Sequence, residues 1–509
     1  PHDPRAVAAL LKVSTVDKKE RAELLGRLVV VETDRNARLQ ALLELAELRR
    51  ELGDAGGAEG ALVEAAALSP DRQMLERLRL ASGGDAETLA RVLAKALSRA
   101  REGNGRPDVA WLAKLGEIEM SLGRADAAIQ HFEDILEVEP NRTSARLALA
   151  RAYASRGRHD TAAAALAPLL EAGDAEYDVG FVRLLDESLA GAGRVQQAHV
   201  ARELRAVAGD LDDAARARLD LRKRTFGAHS EGLATASLRQ FVVPSGLGRH
   251  PIWDAAVACR PIAGKLAAVR LSEQGASSRD RIKPKAVHPL RQLFDRLLRE
   301  FEVFDVELAV SDHLVTPVVA VEDVPWVVVP SSLAEWPEIH AIAALARPLA
   351  RVALGVPWFG AIGANEVLAI LVALARQVAP GFEATPRERI EPIVSDYELR
   401  ARKAIDRKTR RALEDLEPQL AHAAPLDEAV FADAVARTEA RASFLLCGDL
   451  RASLDALAAS DPALADAIRV PGPAALAGVF SRPVARDLVS FALSPESAAL
   501  RKSLGTLWA

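Results

Sequence analysis

Along the first two hundred positions apolar residues recur with the spacing of paired helices, and the pairs themselves repeat. Three segments align without gaps: LLELAELRRELGDAGGAEGALVEAAALSP (42–70), LAKLGEIEMSLGRADAAIQHFEDILEVEP (112–140) and RLALARAYASRGRHDTAAAALAPLLEAGD (146–174). In each, a leucine precedes a small residue where the two helices of a pair would press together: Leu45-Ala46, Leu115-Gly116 and Leu149-Ala150. A turn glycine follows, Gly53, Gly123 or Gly157, and five residues later comes Ala58, Ala128 or Ala162. Ala128 and Ala162 are 34 residues apart, and Phe132 and Tyr153 fall in phase with the glycines. Pro70 and Pro140 sit at the end of their units, 70 residues apart, which leaves room for one degenerate copy over about 75–108. A weaker copy starts at Phe181 with Gly193 and Ala198, and residues 4–38 carry the pattern of another worn pair. A single hairpin of this kind cannot bury its own apolar face, so the pattern predicts stacking into an α-solenoid over 1–215.

After Asp210 the pattern loosens, and the Gly-, Ser-, His- and Pro-rich stretch 216–289 reads as a linker or irregular segment. Two runs inside it, LRQFVVP (238–244) and KLAAVRL (265–271), have the length and composition of strands. Residues 290–301 have helical spacing. VELAVSD (306–312), VTPVVAVED (315–323) and VPWVVVPSSLAE (324–335) then predict a small sheet, drawn as a meander with Asp312 and Asp323 in its turns. The almost wholly apolar stretch 338–354 predicts a buried helix, which Pro348 should kink. Helical patterns continue at 364–379, 387–423, 427–446 and 449–459, and RVPGPAALAGVFSRP (469–483) reads as a loop-rich break before a last short helix. The expected fold is mainly α: a solenoid, then an α+β domain over 290–509.

Composition narrows the function. The chain has 509 residues, half of them apolar but only 4% aromatic, which suits small-residue helix packing. A net charge of −5 from 66 basic and 71 acidic residues leaves no electrostatic footprint for nucleic acid; short basic runs such as RKR (222–224) read as solvated helix ends. Two cysteines, Cys259 and Cys447, cannot build a disulfide framework or a four-thiolate zinc site, and they suit a cytoplasmic location without demonstrating it. The most apolar run, Val367 to Val378, is interrupted by Arg376 and is too short to span a bilayer. The chain opens with PHDPRA instead of Met, which suggests a fragment or a processed product.

Two family resemblances enter here. The hairpin pattern resembles the tetratricopeptide repeat, a unit that packs a small residue of one helix against an alanine of the next. Its packing positions would be Leu45, Ala46, Ala58, Leu115, Gly116, Ala128, Phe132, Pro140, Leu149, Ala150, Tyr153 and Ala162. Over about 290–460 the order of a helix, three valine-rich strands and a buried helix resembles zinc proteases of the gluzincin class, more narrowly those of the heat-shock membrane protease HtpX and the CAAX prenyl proteases. WVVVPSSLAEW (326–336) leading into IHAIAALARPLARVALG (339–355) matches that family in length and apolar pattern. The family's HExxH supplies two zinc imidazoles and a general base. At those positions this chain has Arg347, Pro348 and Arg351. The third ligand, a glutamate in ExxAD, matches Glu439 of RTEARASFLLCGD (437–449), with Ser443 at the aspartate. Guanidinium does not ligate zinc and proline accepts no proton, so the resemblance implies a degenerate, inactive protease domain with no metal or other cofactor. With Glu439 at that position, rather than Ala436 or Ser443 one turn away, the resemblance implies that it faces Arg347 or Arg351 in a buried ion pair where zinc would have joined the helices; on composition alone the two arginines read equally as solvent-facing charges on a surface helix.

Other candidate chemistry is weaker. His288, His313 and His340 lack ligand spacing and read as turn or core histidines. Cys447, in FLLCG, reads as an inert buried thiol, and SGLG (245–248) is neither a phosphate loop nor a nucleophile elbow. The function expected from the sequence is a non-enzymatic scaffold or adaptor. Its protein or peptide partner would lie in the solenoid groove, with no nucleic acid, no membrane span and a homo-oligomer open. Two rival readings stand beside it: a hydrolase using non-standard residues, and a purely structural subunit of a larger assembly.

Overall fold

The structure is a computed structural model. It describes residues 7, 17–68, 72–102, 108–172, 177–220, 224–225, 233, 237–244 and 246–508. Pro70, Ser245, Arg222, Lys223 and most of 4–16 and 226–236, on which some sequence expectations rest, lie outside the described residues. The chain divides into two compact units, Pro1–Leu169 and Leu170–Ala509.

The first unit is the helical-repeat solenoid. Arg35–Glu51 pairs with Ala55–Leu68 and Val109–Ser121 with Ala125–Val138, and Thr143–Ser155 leads through Gly157 into His159–Glu171. Arg72–Ala81 and Ala86–Glu102 fall where the degenerate copy is expected. Aspartates cap several of these helices; Asp108, for instance, accepts from Trp111 N and satisfies an otherwise orphaned donor. Each pair turns on a glycine in the left-handed region, Gly53, Gly123 or Gly157, with φ of 82°, 75° and 71°. A side chain there would be strained, which is why the glycine recurs in phase. The expected packing positions are interior: Leu45, Ala46, Ala58, Leu115, Gly116, Ala128, Phe132, Leu149, Ala150, Tyr153 and Ala162 are all buried. Pro140 is exposed in the turn that closes its unit, its carbonyl accepting from Arg146 Nη2 at 2.6 Å. Gly116 has a packing reason, since a Cβ on it would lie 2.7 Å from the Phe132 ring.

The second unit opens with another hairpin, Val179–Gly191 and Val195–Val207, turning on Gly193 at φ 71°. This copy is built into the rest of that unit. Tyr177 stacks on Phe480 with ring centroids 3.8 Å apart, the Glu203 carboxylate accepts from Leu450 N at 2.8 Å, and Val207 O accepts from Gly472 N at 2.9 Å. The Gln196 amide donates to Trp508 O at 2.8 Å and accepts from Trp508 N at 3.1 Å. The boundary expected near 215 therefore falls inside this unit.

Much of the expected irregular segment also carries core. Val242, Val243, Ile252, Trp253, Cys259 and Val269 are buried in the same cluster as the later helices. Of its two expected strands, LRQFVVP instead contains a π-helical turn, Leu238–Val242. KLAAVRL begins as a short helix, Ala263–Leu266, and only Val269 reaches the sheet, exchanging 2.8 Å backbone bonds with Val321.

The site-bearing elements of this unit are α1 (Pro289–Glu300), β1 (Glu307–Ser311), β2 (Val318–Val321), β3 (Pro325–Pro330), α2 (Glu338–Ala353), α3 (Ala364–Ala375), α4 (Glu428–Cys447) and α5 (Leu450–Ala458). The three strands form the expected small sheet but not a meander. Its order is β1-β3-β2, with β3 parallel to β1 and antiparallel to β2. PWVVVP is buried at every position, and a strand apolar on both faces belongs in the middle. α3 is likewise buried from Val367 to Ala375, which accounts for the most apolar run of the chain as core. The expected break near 469–483 is mostly helix, Pro473–Ser481, because Pro473 starts a helix at a position that needs no donor. α2 runs continuously through Pro348.

Candidate functional site

α2 and α4 pack against each other, and both carry buried small residues. Ala343, Ala346 and Ala350 on one helix, and Ala440, Ala442 and Ser443 on the other, are buried. The approach is close enough for Ser443 Oγ to donate to Ala343 O at 2.9 Å, a helix carbonyl gaining a second partner. Glu439 thereby sits against the same face of α2 that carries Arg347 and Arg351.

Arg351 Nε donates to Glu439 Oε1 at 2.5 Å and Nη2 to Oε2 at 3.2 Å, a two-pronged pair. The other arm of Arg351 donates from Nη1 to Phe359 O at 2.7 Å. Gly360, with φ 86°, makes room for it, because a Cβ there would stand 2.6 Å from Arg351 Nη1. Arg347 Nη2 lies 3.4 Å from Glu439 Oε2 and donates to Ser460 Oγ at 3.0 Å, while Nη1 donates to Ala456 O. Only 3% of the Glu439 side chain is exposed, against 12% for Arg347 and 15% for Arg351. Burial pushes the Arg347 guanidinium below its ordinary pKa; Glu439 opposes this and Arg351 adds to it. The structure thus brings Arg347, Arg351 and Glu439 together, with Pro348 on the same wall.

That wall bounds a cavity of about 620 Å³ between α2, the start of β2 and α5. Val318, Val319, Trp336 and Ala452 supply apolar lining. His340 and Asp455 face it as well, His340 Nε2 lying 3.5 Å from Asp455 Oδ2. Asp455 raises the His340 pKa through that contact, against the opposing effect of burial. Burial disfavours the Asp455 charge, but His340 and Arg451 outweigh it and hold the carboxyl below its usual value. His340 is therefore neither a core histidine nor an isolated one. The pattern that could have revealed it is HxxxxxxR, two helical turns, which puts His340 and Arg347 on one face of α2.

Zinc does not fit this arrangement. Guanidinium does not ligate zinc and proline accepts no proton, so of Arg347, Pro348, Arg351 and Glu439 only Glu439 offers a ligand, and Arg351 already engages it. Among the described residues no group of three or more His, Cys, Asp or Glu could hold a metal ion. His288 caps α1, its Nδ1 accepting from Leu290 N at 3.2 Å, and His313 is exposed in a turn. Cys259 and Cys447 are buried, and desolvation raises the Cys259 thiol to about 12, far from a reactive thiolate. Among the described residues no helix is long and apolar enough to cross a membrane.

A tetratricopeptide-repeat family model matches residues 119–178. Among solved structures, a putative kinesin light chain from Podosopora anserina with nearly identical TPR-like repeats is 17% identical, with a TM-score of 0.19, and the match covers 38% of this chain and 94% of that one. No curated protein matches.

Proposed function

We propose that the protein is a non-enzymatic scaffold: a tetratricopeptide-type repeat region, reaching to about residue 215, that holds a protein or peptide partner, joined to a domain related to gluzincin proteases that has lost their chemistry. The single observation that carries the second half is the Arg347–Glu439–Arg351 cluster. At the level of the helix pair it supports the gluzincin reading, because the chain brings together the residues that the resemblance aligns with two ligands and a third. At the level of chemistry it opposes zinc-dependent hydrolysis, since none of Arg347, Pro348 and Arg351 can ligate zinc or take a proton from water. Helix-to-helix connection, which a metal would provide in a protease, falls here to charge-assisted hydrogen bonds. For the repeat region, the family match over 119–178 and the glycine-turned hairpins support a role in binding protein segments.

The test is incubation of the full chain with casein and a mixed peptide panel, followed by mass spectrometry of bound and free fractions. The reading expects peptides to be retained and recovered intact. Turnover of any peptide that survives chelator treatment and rigorous repurification would replace it with the hydrolase alternative.

A further inference from the structure

The cavity beside the arginine cluster is short of negative charge. Each guanidinium carries five N–H donors, and the two of them face one carboxylate. Arg351 gives Glu439 two hydrogen bonds and Phe359 O one. Arg347 gives one to Ala456 O and one to Ser460 Oγ, and meets Glu439 only at 3.4 Å. Its Nε is buried and, among the described residues, has no acceptor. Glu439 lies behind the cavity lining, and the carboxylate that does line it, Asp455, is taken up by His340 and by Arg451, whose Nε reaches its two oxygens at 3.0 and 3.1 Å. Around the Arg347–Arg351 wall two positive charges therefore meet one negative charge, within a largely apolar enclosure where such an imbalance is poorly screened.

We propose that this cavity binds a carboxylate attached to an apolar group, the carboxylate meeting Arg347 and Arg351 and the apolar part lying against Val318, Val319 and Trp336. This rests on the reading of the domain as one without catalytic chemistry, so that whatever enters the cavity is held and not turned over. A carboxylate matches the planar, forked donors of arginine, and it would bring the second negative charge that neutralises the wall. A volume of about 620 Å³ is in the range that takes a small organic ligand or the last few residues of a peptide. Burial lowers the Arg347 pKa from its ordinary value, which agrees with a site whose compensating anion arrives from outside. The same chemistry has two sources, a free chain end and a small apolar acid, which the experiment separates.

The probes are acetyl-Ala-Ala-Val-Phe as the free acid, the same peptide as its C-terminal amide, and phenylbutyrate, each titrated calorimetrically into the full chain. The expected result is that the acid binds at least about tenfold more tightly than the amide, or about 1.4 kcal/mol. In Arg347→Gln or Arg351→Gln that preference collapses toward unity, and Arg347→Lys retains part of it. Ala344→Phe, which fills the cavity without touching the charges, weakens every probe and serves if the glutamine variants do not fold. Phenylbutyrate binding as well as the peptide acid identifies a small acid as the natural class, and binding of the peptide acid alone identifies a chain end. Equal binding of acid and amide, binding of no carboxylate probe, or an acid preference that survives all of these variants would overturn the inference. Cleavage of the peptide during the titration would overturn the proposed function while leaving the carboxylate preference standing.

Discussion

Replacing Glu439 by Gln removes the one carboxylate that faces two largely buried guanidiniums. The structure fixes the scale of the effect. Glu439 is 3% exposed and accepts from Arg351 at 2.5 and 3.2 Å, with Arg347 at 3.4 Å. At an effective dielectric of about 20, a charge about 4 Å away is worth roughly 4 kcal/mol, before the carboxylate's own desolvation is set against it. Removing one member of a buried pair typically costs about 3–5 kcal/mol, because the partner charge stays behind. Gln also turns an amide NH₂ toward donors, so we expect Glu439→Gln to destabilise the second unit by about 3–5 kcal/mol. Arg351→Met, which deletes one guanidinium and keeps its apolar bulk, should cost about 2 kcal/mol, because Glu439 retains Arg347. The double variant should then lose less than the sum by at least about 1.5 kcal/mol, the coupling of a close pair. Urea titration followed by tryptophan emission reads this, since five of the six tryptophans, all but Trp111, lie in the second unit. Additivity of the two losses to within about 0.5 kcal/mol would refute the reasoning.

Further expectations are local. Gly264→Ala would put a Cβ 1.5 Å from Glu322 O, a backbone atom that cannot step aside, so the variant should lose more than about 3 kcal/mol or fail to fold, measured by urea titration and soluble yield. Gly116→Ala gains about 1 kcal/mol of helix propensity but drives into the Phe132 ring at 2.7 Å; we expect a net loss of about 1–2 kcal/mol and faster amide exchange over 109–138. The His340 imidazole should titrate above the ordinary 6.5 in histidine-selective NMR and fall back in Asp455→Asn. Because its folded pKa is the higher one, the stability from this contact is fully present below about 6.5 and is lost as pH rises through the raised value. A His340 that titrates alike in both proteins would contradict the assignment.

Local rules carried the repeats. Glycines in a left-handed turn and alanines at a helix contact are constraints within one hairpin, so they read directly from spacing, and every packing residue expected from them except the turn residue Pro140 is buried. Strand existence was equally legible for VELAV and PWVVV. Strand order was not, because periodicity does not distinguish a meander from β1-β3-β2; only the two-sided burial of PWVVVP puts it in the centre. The stretch 237–289 looked irregular because its order comes from distant partners. Trp358 Nε1 donates to Ala267 O at 2.8 Å, and Val269 pairs with Val321. Pro348 removes one backbone donor, yet α2 is a single helix through it, with most of its residues buried. Arg347, Arg351 and Glu439 were legible as a set only through the family resemblance, which aligned residues 88 apart in sequence. His340 and Asp455 were missed because α5 packs back over α2 from a part of the chain that no short motif connects to it.

The most direct test of the account is the zinc content of the full chain, purified without chelators in zinc-supplemented medium and measured by elemental mass spectrometry alongside its melting temperature with and without EDTA. With guanidiniums at Arg347 and Arg351 closing the helix pair onto Glu439, the account predicts far less than one zinc per chain and a melting temperature that EDTA does not move. One zinc per chain, lost with EDTA together with a large fall in melting temperature, would contradict it.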